Sequence, residues 1–179
     1  MSGHNKWSKI KHKKAATDAV KSKMFSKHSS LITMEAKKAK GDINSPGLAA
    51  AIERAKKDSM PKENIDRAVA KGSSSDSASL QEVMFEAFGP GGVAILITAV
   101  TDNNNRTNQE IKHVFTKAGY QLGAPGSAVW AFSKIDSVYK PNLPLNLSDE
   151  DGEKLANLIE QLEDQDDIQD IFTTADDIN

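Results

Sequence analysis

Between Ala15 and Lys40 the chain holds no Gly or Pro, and the apolar residues Val20, Met24, Leu31 and Met34 recur at spacings of four, seven and three. Phe25 and Ile32 widen that stripe, so the spacing predicts an amphipathic helix. Gly41 provides its C-terminal stop. Ser45 and Pro46 form an N-cap and first-turn pair for a second helix, with Leu48, Ile52 and Ala55 inward. Pro61 opens a third, with Ile65 and Val69 inward and Gly72 just past its end. Residues 1–72 are therefore expected to form a three-helix bundle.

The period changes after Gly72. Residues 73–79, Ser-Ser-Ser-Asp-Ser-Ala-Ser, read as a flexible linker by composition. Val83, Phe85 and Ala87 then alternate with polar or exposed neighbours, and Gly89-Pro90-Gly91-Gly92 turns the chain into the apolar strand Val93 to Thr101. Thr107 and Glu110 have capping-box spacing, and Ile111, Phe115 and Ala118 give the next helix its apolar face, which Gly119 ends. Ala128 to Phe132 reads as a strand, and Ser137 to Leu147 as an edge strand interrupted by Pro. Ser148 with Asp151 caps a helix carrying Leu155, Leu158, Ile159 and Leu162, and Ile168 to Phe172 is a closing strand. Beyond the opening hairpin strand the order is β-α-β-β-α-β, the split pattern of ferredoxin-like folds. The expected architecture is α+β, a three-helix bundle followed by a ferredoxin-like α+β domain over residues 80–179 that contains an acidic helix near its end.

Charge changes this picture more than composition does. Hydrophobic residues make up 38% of the 179 and charged residues 27%, ordinary globular proportions that argue against disorder throughout. The net charge of -2 conceals a division. Residues 1–72 carry seventeen Lys or Arg against seven Asp or Glu, a balance of +10; residues 73–179 carry six against eighteen, a balance of -12. Such a separation suits a protein with one part for a polyanion and another that repels it, whereas solvated helix faces alone rarely sort the signs so cleanly. No apolar run reaches the roughly eighteen residues of a membrane span, and the N-terminus has no apolar core of a secretory signal. The absence of cysteine excludes disulfides, thiolate catalysis and cysteine-ligated zinc. A reducing cytoplasm is the expected compartment, and no membrane partner is expected.

The sharpest local signal is basic. Lys6, Lys9, Lys11, Lys13, Lys14, Lys21, Lys23 and Lys27 face one acid, Asp18, over the same stretch. His4, His12 and His28 add donors, and Trp7 offers a ring on which a base can stack or, equally, an anchor into the bundle core. Lysine neutralises phosphate as a mobile point charge without fixed geometry, so these residues are the candidate nucleic-acid contacts. Other motifs carry less. Gly89 to Gly92 lacks the Lys and hydroxyl of a P-loop and precedes a strand, so a hairpin turn is the better reading. Asp102-Asn103-Asn104-Asn105 offers oxygen ligands without the spacing of a calcium loop, which favours helix capping. Arg106 is read as a salt-bridge residue ahead of a stray nucleic-acid contact. The four histidines show no metal spacing, no nucleophile elbow is present, and only Asp18 and Glu35 are acidic in the first forty residues. No enzyme activity, metal or cofactor is expected.

With these residues in view, the chain resembles the YebC/PmpR family. The match runs through Gly3-His4-Asn5-Lys6-Trp7-Ser8-Lys9-Ile10-Lys11-His12-Lys13-Lys14-Ala15-Ala16, Met60-Pro61-Lys62-Glu63-Asn64-Ile65, Gly89-Pro90-Gly91-Gly92-Val93, Thr101-Asp102-Asn103-Asn104-Asn105-Arg106-Thr107 and Gly126-Ser127. Typical members carry a third α+β domain inserted after the strand ending near Ser133, so the resemblance implies a two-domain short form. It implies a DNA-binding transcriptional regulator or, as the alternative, a translation factor that binds ribosomal RNA and relieves stalling on proline-rich stretches. A lysine-rich segment with one aromatic residue serves duplex DNA and structured RNA alike.

Overall fold

The computed structural model describes residues 18–74, 79–135 and 138–176. Contacts divide the chain into two compact units, one built around residues 17–83 with 100–104 and the other around 84–99 with 105–179.

The first unit is a bundle of three helices, α1 (Asp18–Lys38), α2 (Pro46–Lys57) and α3 (Lys62–Ser73). Its core is built from Ile32 and Ala36 of α1, Leu48, Ala51 and Ala55 of α2, and Ile65 and Ala68 of α3, with Met60 in the connection. Half of those side chains are alanine, which lets helix axes approach closely and leaves few large groups to bury. Of the stripe expected on α1, Ile32 and Met34 are buried, Met24, Phe25 and Leu31 are half-buried and Val20 lies exposed. Gly41 stops α1 at a positive φ, its N–H bonded to the Ala36 carbonyl. Ser45 sits at the N-cap of α2 with Pro46 in the first turn, but its hydroxyl makes no capping bond.

Gly72 corrects the sequence reading. It lies inside α3 and is buried, facing α1, and a methyl group there would overlap the Thr33 carbonyl oxygen and come within 2.8 Å of Ala36 Cβ. Here glycine permits helix contact; it does not end the helix. The Thr33 hydroxyl completes the contact by donating to the Ala68 carbonyl oxygen (3.2 Å).

The second unit is α+β. Strands β1 (Gln81–Phe88), β2 (Ala94–Thr101) and β5 (Ile168–Thr173) form one sheet in the order β1-β2-β5, with β2 and β5 antiparallel; β3 (Phe132–Ile135) and β4 (Val138–Pro141) pair with each other as a separate antiparallel ribbon. Helices α4 (Asn104–Lys117) and α5 (Asp149–Glu163) complete the unit. The α+β class and the order β-α-β-β-α-β after the opening strand are as expected. The four strands of that order are nevertheless divided between two sheets, where a ferredoxin-like pattern places them in one. Contact between the two sheets comes through side chains, Tyr139 meeting Phe172 edge-on with ring centres 5.4 Å apart.

Strand β2 is buried on both faces, as a continuous apolar run predicts. Val93, Ile95 and Ile97 pack with Ile111 and Phe115 of α4 and Leu155, Leu158 and Leu162 of α5, while Ala94 and Leu96 pack with Ala128 and Phe132. The Gly89–Gly92 segment is the turn between β1 and β2, closed by a bond from the Gly89 N–H to the Val93 carbonyl oxygen (2.8 Å). Ser148 caps α5 as expected, accepting from the Asp151 N–H.

Three further boundaries shift. Helix α4 begins at Asn104, so Thr107 lies within its first turn and does not cap it; the buried Thr107 hydroxyl donates to Asp167 (2.6 Å). Residues 129–131 form a turn of 3₁₀-helix before β3, and the edge strand expected from Ser137 to Leu147 is confined to 138–141, followed by an isolated bridge between Leu145 and Ala175.

Candidate nucleic-acid interface

Three of the lysines singled out from the sequence lie on α1. At about 100° per residue, Lys23 and Lys27 share one flank and Lys21 lies well round the helix from them. Lys21 is exposed, whereas Lys23 and Lys27 are half-buried and have interactions of their own. His4, Lys6, Trp7, Lys9, Lys11, His12, Lys13 and Lys14 lie outside the described residues. The structure therefore distributes three of the eleven candidates along one helix and does not gather them into a single cluster.

Cations that the motif reading did not single out extend the basic character over all three helices. Lys37 and Lys38 occupy the last turn of α1, Arg54, Lys56 and Lys57 the last turn of α2, and Lys71 that of α3. These positions suit cations, since each helix ends in unpaired carbonyls with partial negative charge. Some are already engaged: Lys38 Nζ lies 2.8 Å from Glu35, and Lys56 Nζ lies 2.8 Å from Glu53. The Lys56 hydrogen bond holds the Glu53 carboxyl below its ordinary range. Among the described residues, Lys21, Lys40, Lys62, Arg67 and Lys71 form no ion pair. Their signal in the sequence was the +10 balance of the first 72 residues.

The only buried histidine among the described residues, His28, serves the bundle. It is 4% exposed, and its Nε2 lies 2.7 Å from Asp58 Oδ2, tying α1 to the C-terminal cap of α2.

In the second unit the polar groups hold structure together. Arg106 reaches Asp167 at 2.8 Å, and Asp167 also accepts from Thr107, so one carboxylate pins the start of α4 to the turn before β5. This is the salt-bridge role expected for Arg106. Asn103 N–H bonds to Thr101 Oγ1, closing a turn between β2 and α4. A depression of about 330 Å³ beside Arg106 is lined by Glu110, Asp164, Gln165, Asp166 and Asp167, a surface that repels phosphate. Among the described residues no group of three or more His, Asp or Glu is placed to hold a metal ion.

Glu86 escaped the sequence reading. Alternation at Val83, Phe85 and Ala87 implied an outward side chain, yet Glu86 is 6% exposed. Its carboxylate accepts from the backbone N–H groups of Gly126 (2.6 Å), Ala128 (2.7 Å) and Val129 (2.8 Å). Burial alone raises its pKa; the three N–H donors outweigh burial and hold it below the ordinary glutamate value. Those donors are then unavailable to a ladder, which explains why the strand expected from Ala128 starts only at Phe132.

Comparison with known proteins agrees with this architecture. The model described as the TACO1/YebC protein N-terminal domain matches residues 5–75, and the one described as the TACO1/YebC second and third domain matches 80–138. Proteins named probable transcriptional regulatory protein from Thermotoga maritima and Dictyoglomus thermophilum are each 49% identical, over 136 and 141 residues. Those matches cover 75% and 78% of this chain but 54% and 57% of the relatives, so the chain spans little more than half their length. The crystal structure of a conserved hypothetical protein, Aq1575, from Aquifex aeolicus superposes with a TM-score of 0.82 at 29% identity, covering 93% of this chain and 95% of that one. No helix among the described residues is long and apolar enough to cross a membrane.

Proposed function

Because the chain belongs to the TACO1/YebC family, we propose that it is a nucleic-acid-binding regulator of gene expression that works in transcription through its basic N-terminal domain. The observation that carries this reading is the division of charge, +10 over residues 1–72 against -12 over the remainder. A polyanion is attracted to one part and repelled by the other, which orients the protein on its target before any specific contact forms. His4, Lys6, Trp7, Lys9, Lys11, His12, Lys13 and Lys14 are the proposed primary contacts, with Lys21, Lys23 and Lys27 continuing along α1. The printed names of the relatives support transcription as the process. The protein acts by binding, without a catalytic step of its own, and in the cytoplasm.

Crosslinking the protein to nucleic acid in growing cells and sequencing what is attached tests this. Enrichment of a few discrete DNA regions is expected. Recovery of fixed ribosomal RNA positions in their place would move the regulator to the ribosome and retire the transcriptional assignment.

A further inference from the structure

Trp130 is 69% exposed, although a tryptophan is ordinarily among the most buried side chains of a domain. Its ring is not loose. The indole N–H donates to the Ser127 carbonyl oxygen (2.7 Å), the Trp130 carbonyl oxygen accepts from Asn142 Nδ2 (2.9 Å), and Asn142 Oδ1 accepts from the Ser133 hydroxyl (2.5 Å). With its one polar atom satisfied inside the protein, the ring offers solvent only an apolar π surface at low entropic cost.

The surroundings of Trp130 differ from the rest of the unit. Residues 118–148 carry Lys134 and Lys140 against Asp136 alone, whereas residues 149–177 carry twelve acids and one lysine. Lys140 lies opposite Ser133 in the β3–β4 register and is exposed, and among the described residues it forms no ion pair. Lys134, also exposed, sits with Nζ 5.3 Å from the Tyr139 ring centre. Ile135 (48% exposed) at the end of β3 and Leu143 (81%) just after β4 are further exposed apolar residues of this segment.

We propose that the β3–β4 ribbon is a second nucleic-acid contact, a stacking site for an unpaired base on Trp130, with Lys140 neutralising an adjoining phosphate. An aromatic face beside a cation is the chemistry by which proteins hold single strands without reading sequence. A duplex buries its base faces and cannot use the ring. Local positive charge within an acidic unit favours this occupant over a protein segment, for which the apolar residues alone would suffice. The inference rests on the reading that the chain binds nucleic acid, but it does not depend on the N-terminal lysines.

The chain has two tryptophans, so Trp7→Phe leaves Trp130 as the sole fluorophore. Titrating that full-length variant with a twelve-nucleotide single strand is expected to quench its emission saturably, with much less quenching by the matching duplex. Adding Lys140→Ala should raise the half-saturating concentration several-fold, and Lys11, Lys13 and Lys14→Ala should leave a measurable quench. A mobility shift without any change in Trp130 emission would overturn the stacking site while leaving the N-terminal interface standing. Absence of quenching in this variant together with absence of a mobility shift for the unsubstituted chain would overturn both readings. Trp130-dependent self-association in sedimentation, with no response to the single strand, would assign the patch to protein and overturn the proposal.

Discussion

Glu86 illustrates how one side chain fixes a segment that local pattern cannot. Three N–H groups of the 126–129 segment converge on its carboxylate, and the ionised form is the one the fold retains. With the folded pKa depressed, the stabilisation is fully present above the unfolded value near 4.5 and is lost as pH falls through the folded value. Glu86→Gln keeps the shape but removes the charge and one acceptor. The expected cost is about 1.5–3 kcal/mol at pH 7, seen as a lower thermal midpoint. The fall in midpoint on acidification below pH 5 should also become shallower than in the parent. An unchanged pH profile would mean that this carboxylate does not carry the acid sensitivity. The sequence hid this residue because strand alternation, taken alone, pointed it outward; its partners lie forty residues downstream, where no periodicity reaches.

At the scale of elements, both helix existence and strand order were legible, because apolar spacing of 3.6 and 2 residues is set by the core each element faces. The helices of the bundle follow that rule, while the strand from Val93 was legible as a continuous apolar run buried on both faces. What was not legible depended on contacts between elements. Gly72 looks like a stop from its position after Val69, yet it is the point at which α3 touches α1. Thr107 has the spacing of a cap but serves Asp167, sixty residues away. Division of the strands between two sheets is a matter of pairing, which composition does not encode. Gly72→Ala tests the helix contact. Alanine gains about 1 kcal/mol in helix propensity, but the added methyl meets backbone at Thr33, which cannot swing aside. Net destabilisation of about 1–3 kcal/mol is expected, read as a lower urea midpoint in far-ultraviolet circular dichroism. A midpoint at or above the parent's would show that α1 and α3 are not held in this contact.

For the whole molecule the division of charge is the property that links sequence to function. It needs no fold to be seen, and the structure adds where part of it lies: on α1 and at the C-terminal ends of the three helices, with several cations not engaged by acids of the described chain. The candidate contacts were legible as a class, lysines dense enough to bind phosphate, but not as a surface, since their mutual placement depends on the path of the chain. Opposite net charges on the two parts also mean that raising salt weakens the field of each.

The most direct test of the account is the salt dependence of duplex DNA binding by the full chain beside its Lys11, Lys13 and Lys14→Ala variant. With about six phosphate contacts, the logarithm of affinity should fall with the logarithm of salt at a slope of about -5, and the variant should lose about three units of that slope. A parent slope near zero, or a variant with the parent's slope, would contradict the claim that this chain grips nucleic acid through its basic N-terminal domain.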